Sequence, residues 1–414
     1  MAAERTGLVL MGGGARVAYQ VGVLSGIAAI QRDILPHRKA VPFQIVCGTS
    51  AGAINAAALA VHAEDFQLGT TRLAAVWRQF HAGQVFRADS LGVARTGARW
   101  LSALAIGWAL RRSPRALLDW TPLTGMLRES IRLDRLPEMF ANGTLCALSV
   151  TALSYSSGKH VTFYQSAAPI QPWKRSLRLA RAVPLTVDHL LASSSIPFLF
   201  PAVPLELDGA QEYFGDGSMR QIAPLSPPIH LGATRILVIG AAHAQYGLDS
   251  SGERIAGYPS LAQIGGQALA SVFIDGLSGD LERLQHINRV LHHLPEAERA
   301  ASGWREIETL VISPSQRIEP IAARHLSQLP RATRALLGAI GADTARGAAF
   351  ASYLLFESGY TQELMALGEA DAMAQRDAIE RWLMVDGDGR PLARDPAQGV
   401  PQATSAVAAG DGAA

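Results

Sequence analysis

Cysteine, lysine and long apolar runs are scarce in this chain of 414 residues. The two cysteines, Cys47 and Cys146, stand in apolar runs, which predicts buried free thiols in a reducing compartment. The longest apolar stretch, residues 100–110, is about half the length of a membrane span. Before the first glycine run the chain has too few apolar residues for the core of a signal peptide. We therefore expect a soluble, cytoplasmic protein.

Charge is also sparse and nearly balanced. Charged residues make up 17% of the chain, its formal net charge is +2, and only three of its 37 basic residues are lysines. This balance gives no reason to expect a nucleic-acid partner. The hydrophobic fraction of 49% is typical of a globular protein with a sizeable core. The length suits one large α/β domain with additions, or two domains.

Short apolar runs alternate with segments of helical spacing. A strand is expected at 7–11 and another at 43–47, each followed by a glycine-rich turn and a helix. Further strands are expected at 145–153, 160–164, 235–241 and 309–314, and helices around 260–293 and 319–382. This alternation predicts a three-layer α/β fold with a mainly parallel sheet flanked by helices. Ligands of such sheets bind beyond the carboxyl ends of strands, where both glycine-rich turns lie.

Ser50 stands in the second of these turns, within "GTSAG". The glycines Gly48 and Gly52 give the pattern of a strand-to-helix elbow that presents a catalytic serine. The pattern alone is weak, because it arises easily by chance in a chain rich in alanine and glycine. Ser50 is either a nucleophile or a small residue in a tight turn.

The first turn reads "GGGAR" and contains Gly12, Gly13, Gly14 and Arg16. A dinucleotide fingerprint would need glycine where Val17 stands, and a phosphate P-loop would need lysine followed by serine or threonine. Three consecutive glycines before a helix leave amides free to bind an anion. Beside a serine nucleophile, that anion would be the oxyanion of acyl transfer. Arg16 either adds positive charge or braces the loop.

A serine nucleophile needs a base, and Asp216 in "GDG" is one candidate. An aspartate between glycines is also a common turn former. The run Ser193–Ser195 offers other hydroxyls without an elbow, and a helix ending before Pro197 explains that run equally well. No metal or other cofactor is expected, since the sequence lacks zinc-binding spacings and the adjacent pair at 292–293 does not supply one.

Taken together, "GGGAR", "GTSAG", "ASSSIPFLFPAV" and "DGS" resemble the patatin-like phospholipases over about residues 6–242, and "LLDWTPL" also resembles that family. The resemblance implies a lipid acyl hydrolase of phospholipase A or lysophospholipase type, which uses a Ser–Asp dyad and no histidine. It assigns Ser50 as nucleophile and Asp216 as base. It assigns an oxyanion loop to Gly12, Gly13, Gly14 and Arg16. Two positions depart from the family pattern. Val17 stands where the family usually has glycine, and Ser218 stands where glycine or alanine is more common.

The resemblance also suggests a domain plan. We expect a catalytic domain at 6–242 with a cap insertion at 84–118, a helical extension with one or more strands at 243–384, and a disordered tail at 385–414. The insertion carries Trp100 and Trp108 among arginines. It is either a helix packed on the core or an amphipathic cap that makes peripheral contact with lipid, with arginines at headgroup level. Oligomeric state is left open.

Two other functions remain open at this point. One is an ordinary α/β-hydrolase esterase with a Ser-Asp-His triad, whose histidine would be His243, His292, His293 or His325. An elbow after the second strand is unusually early for that fold. The other is a catalytically weak lipid-binding protein, for which Val17 is the hint.

Overall fold

The computed structural model describes residues 5–87, 116–241, 258–273, 275–339, 341–342 and 347–385. The strands are β1 (Thr6–Leu10), β2 (Ile45–Thr49), β3 (Ala147–Ser154), β4 (His160–Ser166), β5 (Lys174–Arg175), β6 (Arg178–Ala182), β7 (Val203–Leu207), β8 (Ala210–Asp216), β9 (Arg235–Ile239) and β10 (Glu308–Ile312). The helices are α1 (Ala18–Ile34), α2 (Ala51–Ala60), α3 (Phe66–Arg78), α4 (Ala82–Val85), α5 (Thr121–Ser130), α6 (Leu136–Ala141), α7 (Val187–Ser193), α8 (Ser226–His230), α9 (Leu261–Phe273), α10 (Asp275–His293), α11 (Glu296–Ser302), α12 (Ile318–His325), α13 (Arg331–Gly338), α14 (Ala348–Ala351), α15 (Ser358–Ala374) and α16 (Arg376–Leu383).

The strands of the described part of the chain form one mixed sheet. Their order is β10-β9-β1-β2-β3-β4-β6-β5, with β8 also paired to β3 and β7 paired to β8. The run from β10 to β3 is parallel, and antiparallel pairs join β3 to β4, β3 to β8, β7 to β8 and β5 to β6. The prediction of an α/β sheet flanked by helices is confirmed, and the parallel part is the half that carries both glycine-rich turns.

Both faces of the central sheet are covered. Every residue of β1 and β2 is buried, as expected for parallel strands with helices on each side. Successive side chains point to opposite faces. Leu8 and Leu10 therefore join the core under α1 and α2, while Val9 joins a second core with Leu284 of α10. The chain thus builds three layers, helix on sheet on helix.

The predicted helical region after residue 257 is present and packs directly on the first helix. α15 crosses α1 closely because Gly22 and Gly368 have no side chains: a Cβ on Gly22 would overlap the backbone of Met365. The Tyr19 hydroxyl donates a 2.9 Å hydrogen bond to Asp371 at the same crossing. β10 extends the sheet beside β9. Farther toward the N-terminus, the Tyr353 carbonyl oxygen accepts the Ala15 amide at 2.9 Å, so residues far along the chain also reach the first glycine-rich turn.

Some of the predicted features lie wholly or partly outside the described residues. Of the cap insertion, only 84–87 and 116–118 are described, so Trp100 and Trp108 lie outside the described residues, as does the tail from 386. Cys47 is buried and free as predicted, whereas Cys146, one residue before β3, is only half-buried. No helix in the described ranges is long and apolar enough to cross a bilayer.

Candidate active site

Two strands meet end to end along one edge of β3. β4 pairs with one edge of β3 along nearly its whole length. β2 and β8 therefore share the opposite edge of β3. β2 pairs in parallel as far as Thr49 opposite Thr151, and β8 pairs antiparallel from Asp216 opposite Ala152. Because Thr151 and Ala152 are adjacent, the carboxyl ends of β2 and β8 face each other. The residue that follows Thr49 is thereby brought against Asp216.

That residue is Ser50, at the sharp turn from β2 into α2. Its backbone has φ 56° and ψ −136°, with φ in the left-handed region that residues with side chains rarely adopt. Strain of this kind is concentrated at functional turns. A Cβ on Gly48 would overlap the backbone of Ala53, and one on Gly52 would overlap the Leu10 carbonyl oxygen. Both glycines are therefore required by the turn, whose geometry matches a strand-to-helix elbow.

The Ser50 hydroxyl donates a 2.6 Å hydrogen bond to Asp216 Oδ2. Both residues are buried, each with 1% of its surface exposed. The other carboxylate oxygen, Oδ1, accepts a 2.8 Å bond from the Ser218 backbone amide. Burial raises the pKa of Asp216 to about 6, although these hydrogen bonds oppose the rise. Near neutral pH the carboxyl group is mainly ionised, the form in which a carboxylate acts as a hydrogen-bond acceptor.

Ser193 supports the elbow from behind. Its hydroxyl accepts the Ser50 backbone N–H at 2.8 Å and donates to the Thr151 carbonyl at 2.6 Å. The Ser193 and Ser195 carbonyl oxygens accept the amides of Gly217 and Asp216. The serine run thus ties β2, β3 and β8 together. Sequence reasoning considered Ser193 as an alternative nucleophile and missed this role, which no local pattern signals.

The glycine run lies over Ser50. A Cβ on Gly12 would overlap the Ser218 hydroxyl and crowd Ser50 Cβ, and one on Gly14, at φ 55°, would overlap the Tyr353 carbonyl oxygen. Gly13 leads into the 3₁₀ turn Gly14–Val17 that precedes α1. Within the described residues, the amides of these three glycines donate no hydrogen bond. These three amides therefore have donor capacity that the described part of the chain does not use.

Arg16 points away from this anion position and into the C-terminal helices. Its guanidinium donates to Ser352 Oγ at 2.7 Å, pairs with Glu319 at 3.1 Å and lies 4.2 Å from the centre of the Tyr353 ring. These contacts are of the kind that a bracing role requires, and the choice between the two roles that the sequence left open stays a prediction. Val17 is fully buried in the same turn.

Ser218, one of the two residues that depart from the family pattern, lies inside the site. Its hydroxyl is buried against Gly12, and the interaction of this hydroxyl with the Asp216 carboxylate opposes the rise in the pKa of that group. Its backbone amide, not its side chain, makes the 2.8 Å bond to Asp216.

Histidines of the described chain do not bond to Ser50 or Asp216. His325 pairs with Glu363, and His292 contacts Glu306. His243 lies outside the described residues. His160 contacts the residue that follows Asp216 in the chain. Sequence reasoning did not single out this histidine. Its Nε2 lies 2.7 Å from the Gly217 carbonyl oxygen, and burial lowers its pKa to about 4.

A groove begins at Ser50 and runs between α2, α3 and α5; we call it the α2 groove. One side of α2 lines it at one-turn intervals with Ser50, Ile54, Ala58 and, beyond the helix end, His62. The opposite walls are mainly apolar and include Leu73, Val76 and Trp77 from α3, Leu123 and Leu127 from α5, and Ser194, Ile196 and Phe200 from the segment after α7. Within the described ranges, no group of three or more His, Cys, Asp or Glu side chains is placed to hold a metal ion.

Comparison with known proteins identifies the family to which the chain belongs. Residues 8–229, more than half of the chain, match the family model described as Patatin-like phospholipase. Among solved structures, VipD from Legionella pneumophila is 14% identical, with a TM-score of 0.27 over 88% of this chain and 67% of that chain. A TM-score this low supports no inference from VipD. No protein of curated function matches the sequence.

Proposed function

Because the chain belongs to the patatin-like phospholipase family, we propose that it is a lipid acyl hydrolase with Ser50 as nucleophile and Asp216 as general base. The observation that carries the proposal is the 2.6 Å hydrogen bond from Ser50 Oγ to Asp216 Oδ2. A serine hydroxyl is a weak nucleophile until a base accepts its proton. A carboxylate bonded directly to that hydroxyl does so without an intervening imidazole.

The reaction has two halves. Ser50 Oγ attacks the ester carbonyl carbon as Asp216 takes the serine proton, and the amides of Gly12, Gly13 and Gly14 bind the oxyanion. Collapse of the tetrahedral intermediate breaks the ester bond, and the leaving alcohol takes the proton from Asp216. Water then attacks the acyl-enzyme with Asp216 again as base, which releases the fatty acid and restores Ser50.

The substrate class is a carboxylic ester of a phospholipid or a neutral lipid, cleaved in the manner of a phospholipase A or a lysophospholipase. Support comes from the family and from the apolar α2 groove, which begins at the nucleophile. Sites for lipid-like ligands are concave and mainly apolar, with few polar groups to fix orientation.

The test is ester hydrolysis and fluorophosphonate labelling of the full chain. Wild-type protein should hydrolyse a soluble butyrate ester and a lysophospholipid and take up the label, while Ser50→Ala should lose both properties with its fold intact. Ser25→Ala, on α1 and far from the elbow in sequence, serves as the matched control and should behave as wild type. Labelling that persists in Ser50→Ala would place the nucleophile elsewhere. A folded wild-type protein that binds lipid without hydrolysis would favour the lipid-binding alternative.

Peripheral contact with a membrane is the second part of the proposal. It rests on the sequence of the cap insertion, where Trp100 and Trp108 lie at helical spacing among arginines. Replacing both tryptophans by alanine should weaken sedimentation with anionic vesicles and leave butyrate hydrolysis unchanged. A fall in thermal stability instead would assign the segment to the core.

A further inference from the structure

We propose that the α2 groove binds the acyl chain of the substrate in extended form, with its ester at Ser50, and that Ala58 and Val76 limit the length it accepts. The inference rests on the proposed hydrolase function and names the part of the substrate that this groove selects. The spacing of the lining residues, the change of polarity along the groove and the small residues at its middle support it.

The groove follows the axis of α2. Ala51, Ile54 and Ala58 lie on one side of the helix at intervals of three and four residues, so they form a straight stripe that starts beside Ser50. From Ala51 to Ala58 the helix rises about 10 Å, at about 1.5 Å per residue. A linear chain attached to Ser50 would therefore pass Ile54 first and reach Ala58 with roughly its middle carbons.

Polarity changes along the groove in the order that an acyl ester requires. At the Ser50 end, Ser194 lines the groove, and its buried hydroxyl has no hydrogen-bond partner among the described residues. The middle is walled by Ile54, Leu73 and Leu127. Polar atoms thus lie where the ester group sits, and apolar side chains lie where methylenes sit.

The far end is polar again. His62 lies between two guanidinium groups, with Nε2 3.3 Å from Arg72 and Nδ1 3.0 Å from Arg135. Burial and these two arginines lower the pKa of His62, so the ring stays neutral near pH 7. Arg72 is exposed, and Arg135 also pairs with Glu64. An acyl chain gains apolar burial up to this point and none beyond it.

Ala58 of α2 and Val76 of α3 both line the groove. Ala58 is half-buried and contributes one methyl group, and Val76 is 37% exposed. A larger side chain at either position occupies space that the chain would use. Neither residue is hydrogen-bonded to Ser50, Asp216 or the glycine run. The loss of activity caused by a larger side chain should therefore depend on the length of the acyl chain.

The experiment measures kcat/KM for butyrate, octanoate and laurate esters of one chromogenic alcohol, each below its micelle concentration. For wild type, kcat/KM should rise with chain length by up to about fourfold per methylene, the value expected for full burial. Ala58→Leu should lower the laurate-to-butyrate ratio of kcat/KM at least tenfold. Ala75→Leu, on the exposed side of α3, is the matched control and should leave both values unchanged.

Val76→Phe provides a second variant on a partly exposed position, in case Ala58→Leu fails to fold. Equal losses on all esters, or no loss on laurate in either folded variant, would overturn the groove assignment. Failure of the proposed function is distinguishable, because butyrate hydrolysis would then be absent or would persist in Ser50→Ala. A Ser50-dependent butyrate activity with no dependence on chain length rejects this inference alone.

Discussion

Ser50 Oγ and Asp216 Oδ2 lie 2.6 Å apart although the two residues are 166 positions apart in the chain. The contact depends on β3, one edge of which aligns the ends of β2 and β8. Since the two residues are buried together, the carboxyl group keeps its proton to a higher pH than an exposed aspartate, with a pKa of about 6. Asp216 should therefore contribute to the pH dependence of both activity and stability.

Activity should rise as Asp216 loses its proton. A general base acts only when deprotonated, so kcat/KM for a butyrate ester should increase through an apparent pKa near 6 and level off above it. Asp216→Asn keeps the shape but removes the base, and should lower activity on the order of a hundredfold or more on the plateau above the apparent pKa, with a smaller difference from wild type at lower pH. A wild-type profile that is flat between about pH 5 and about pH 8 would contradict the assignment of the base.

Stability should change in the opposite direction. Because the folded state raises the pKa of Asp216 from 3.8 to about 6, the folded protein binds the proton more tightly than the unfolded chain. The free energy of unfolding contributed by this group therefore falls as pH rises from 3.8 to about 6, and stays lower above that range. The amide introduced by Asp216→Asn does not titrate, so the Tm of this variant relative to wild type should increase across that window.

Thermal unfolding at a series of pH values measures this difference. Asp377→Asn, which removes an exposed carboxylate at the start of α16, is the matched Asp-to-Asn control and is measured in the same series. If the Tm difference for Asp216→Asn is constant across the window, Asp216 does not have a raised pKa in the folded state.

The local parts of this site are readable from the sequence, and the long-range parts are not. "GTSAG" is contiguous, and its glycines are required by contacts within a few residues or with the neighbouring strand. The antiparallel pairing of β8 with β3 is different, because nothing near Asp216 specifies which strand end it faces. Sequence reasoning placed Asp216 at a turn and obtained its role from family resemblance. It predicted no strand at β8.

Arg16 and His160 show the same limit. The direction of the Arg16 side chain is set by Glu319 and Tyr353, more than 300 positions later in the chain, where the sequence shows only helical spacing. His160 opens a predicted strand and carries no motif, yet its ring meets the residue after Asp216. Tertiary contacts of this kind leave no periodic signal.

Ser193→Ala should weaken the elbow without removing the nucleophile. The substitution leaves the buried Ser50 amide without its acceptor, which should cost about 1–3 kcal/mol in the free energy of unfolding. Hydrolysis should slow, while fluorophosphonate labelling of Ser50 should continue at a lower rate. The neighbouring Ser194→Ala removes a hydroxyl that has no partner among the described residues, and is the stability control. Complete loss of labelling in a folded Ser193→Ala would argue for Ser193 as the nucleophile.

His160→Gln should behave as a change in a supporting residue. The ring is neutral near pH 7 because burial lowers its pKa to about 4, and it contacts the Gly217 carbonyl rather than the Ser50 hydroxyl. Activity should fall by less than about tenfold, well short of the effect of losing a general base. The inflection of the pH profile near 6 should remain, since it belongs to Asp216. A folded His160→Gln as inactive as Ser50→Ala would favour a triad.

Arg16 is expected to act on the oxyanion loop through its anchor in the C-terminal helices. Its side chain is 2% exposed and pairs with Glu319, whose side chain is 11% exposed. Removing one partner of a buried pair costs about 3–5 kcal/mol when the other charge is left uncompensated. Glu319 would keep a 3.7 Å pair with Arg317. Arg16→Met should therefore lower the free energy of unfolding by up to about that amount. It should also lower kcat, since the same 3₁₀ turn begins at Gly14.

A comparison with Glu319→Gln separates bracing from direct contact with the oxyanion. If Arg16 braces the loop, Glu319→Gln should lower stability and kcat in the same direction as Arg16→Met, and the double variant should lose less than the two single losses combined. If its charge instead stabilises the oxyanion, Arg16→Met should lower kcat with little loss of stability, and Glu319→Gln should leave kcat unchanged. The 3.1 Å ion pair with Glu319 and the ring contact with Tyr353 favour the first result. The Arg16 charge is then held by residues outside the segment that matches the family, so catalysis by residues 8–229 should depend on helices that follow them.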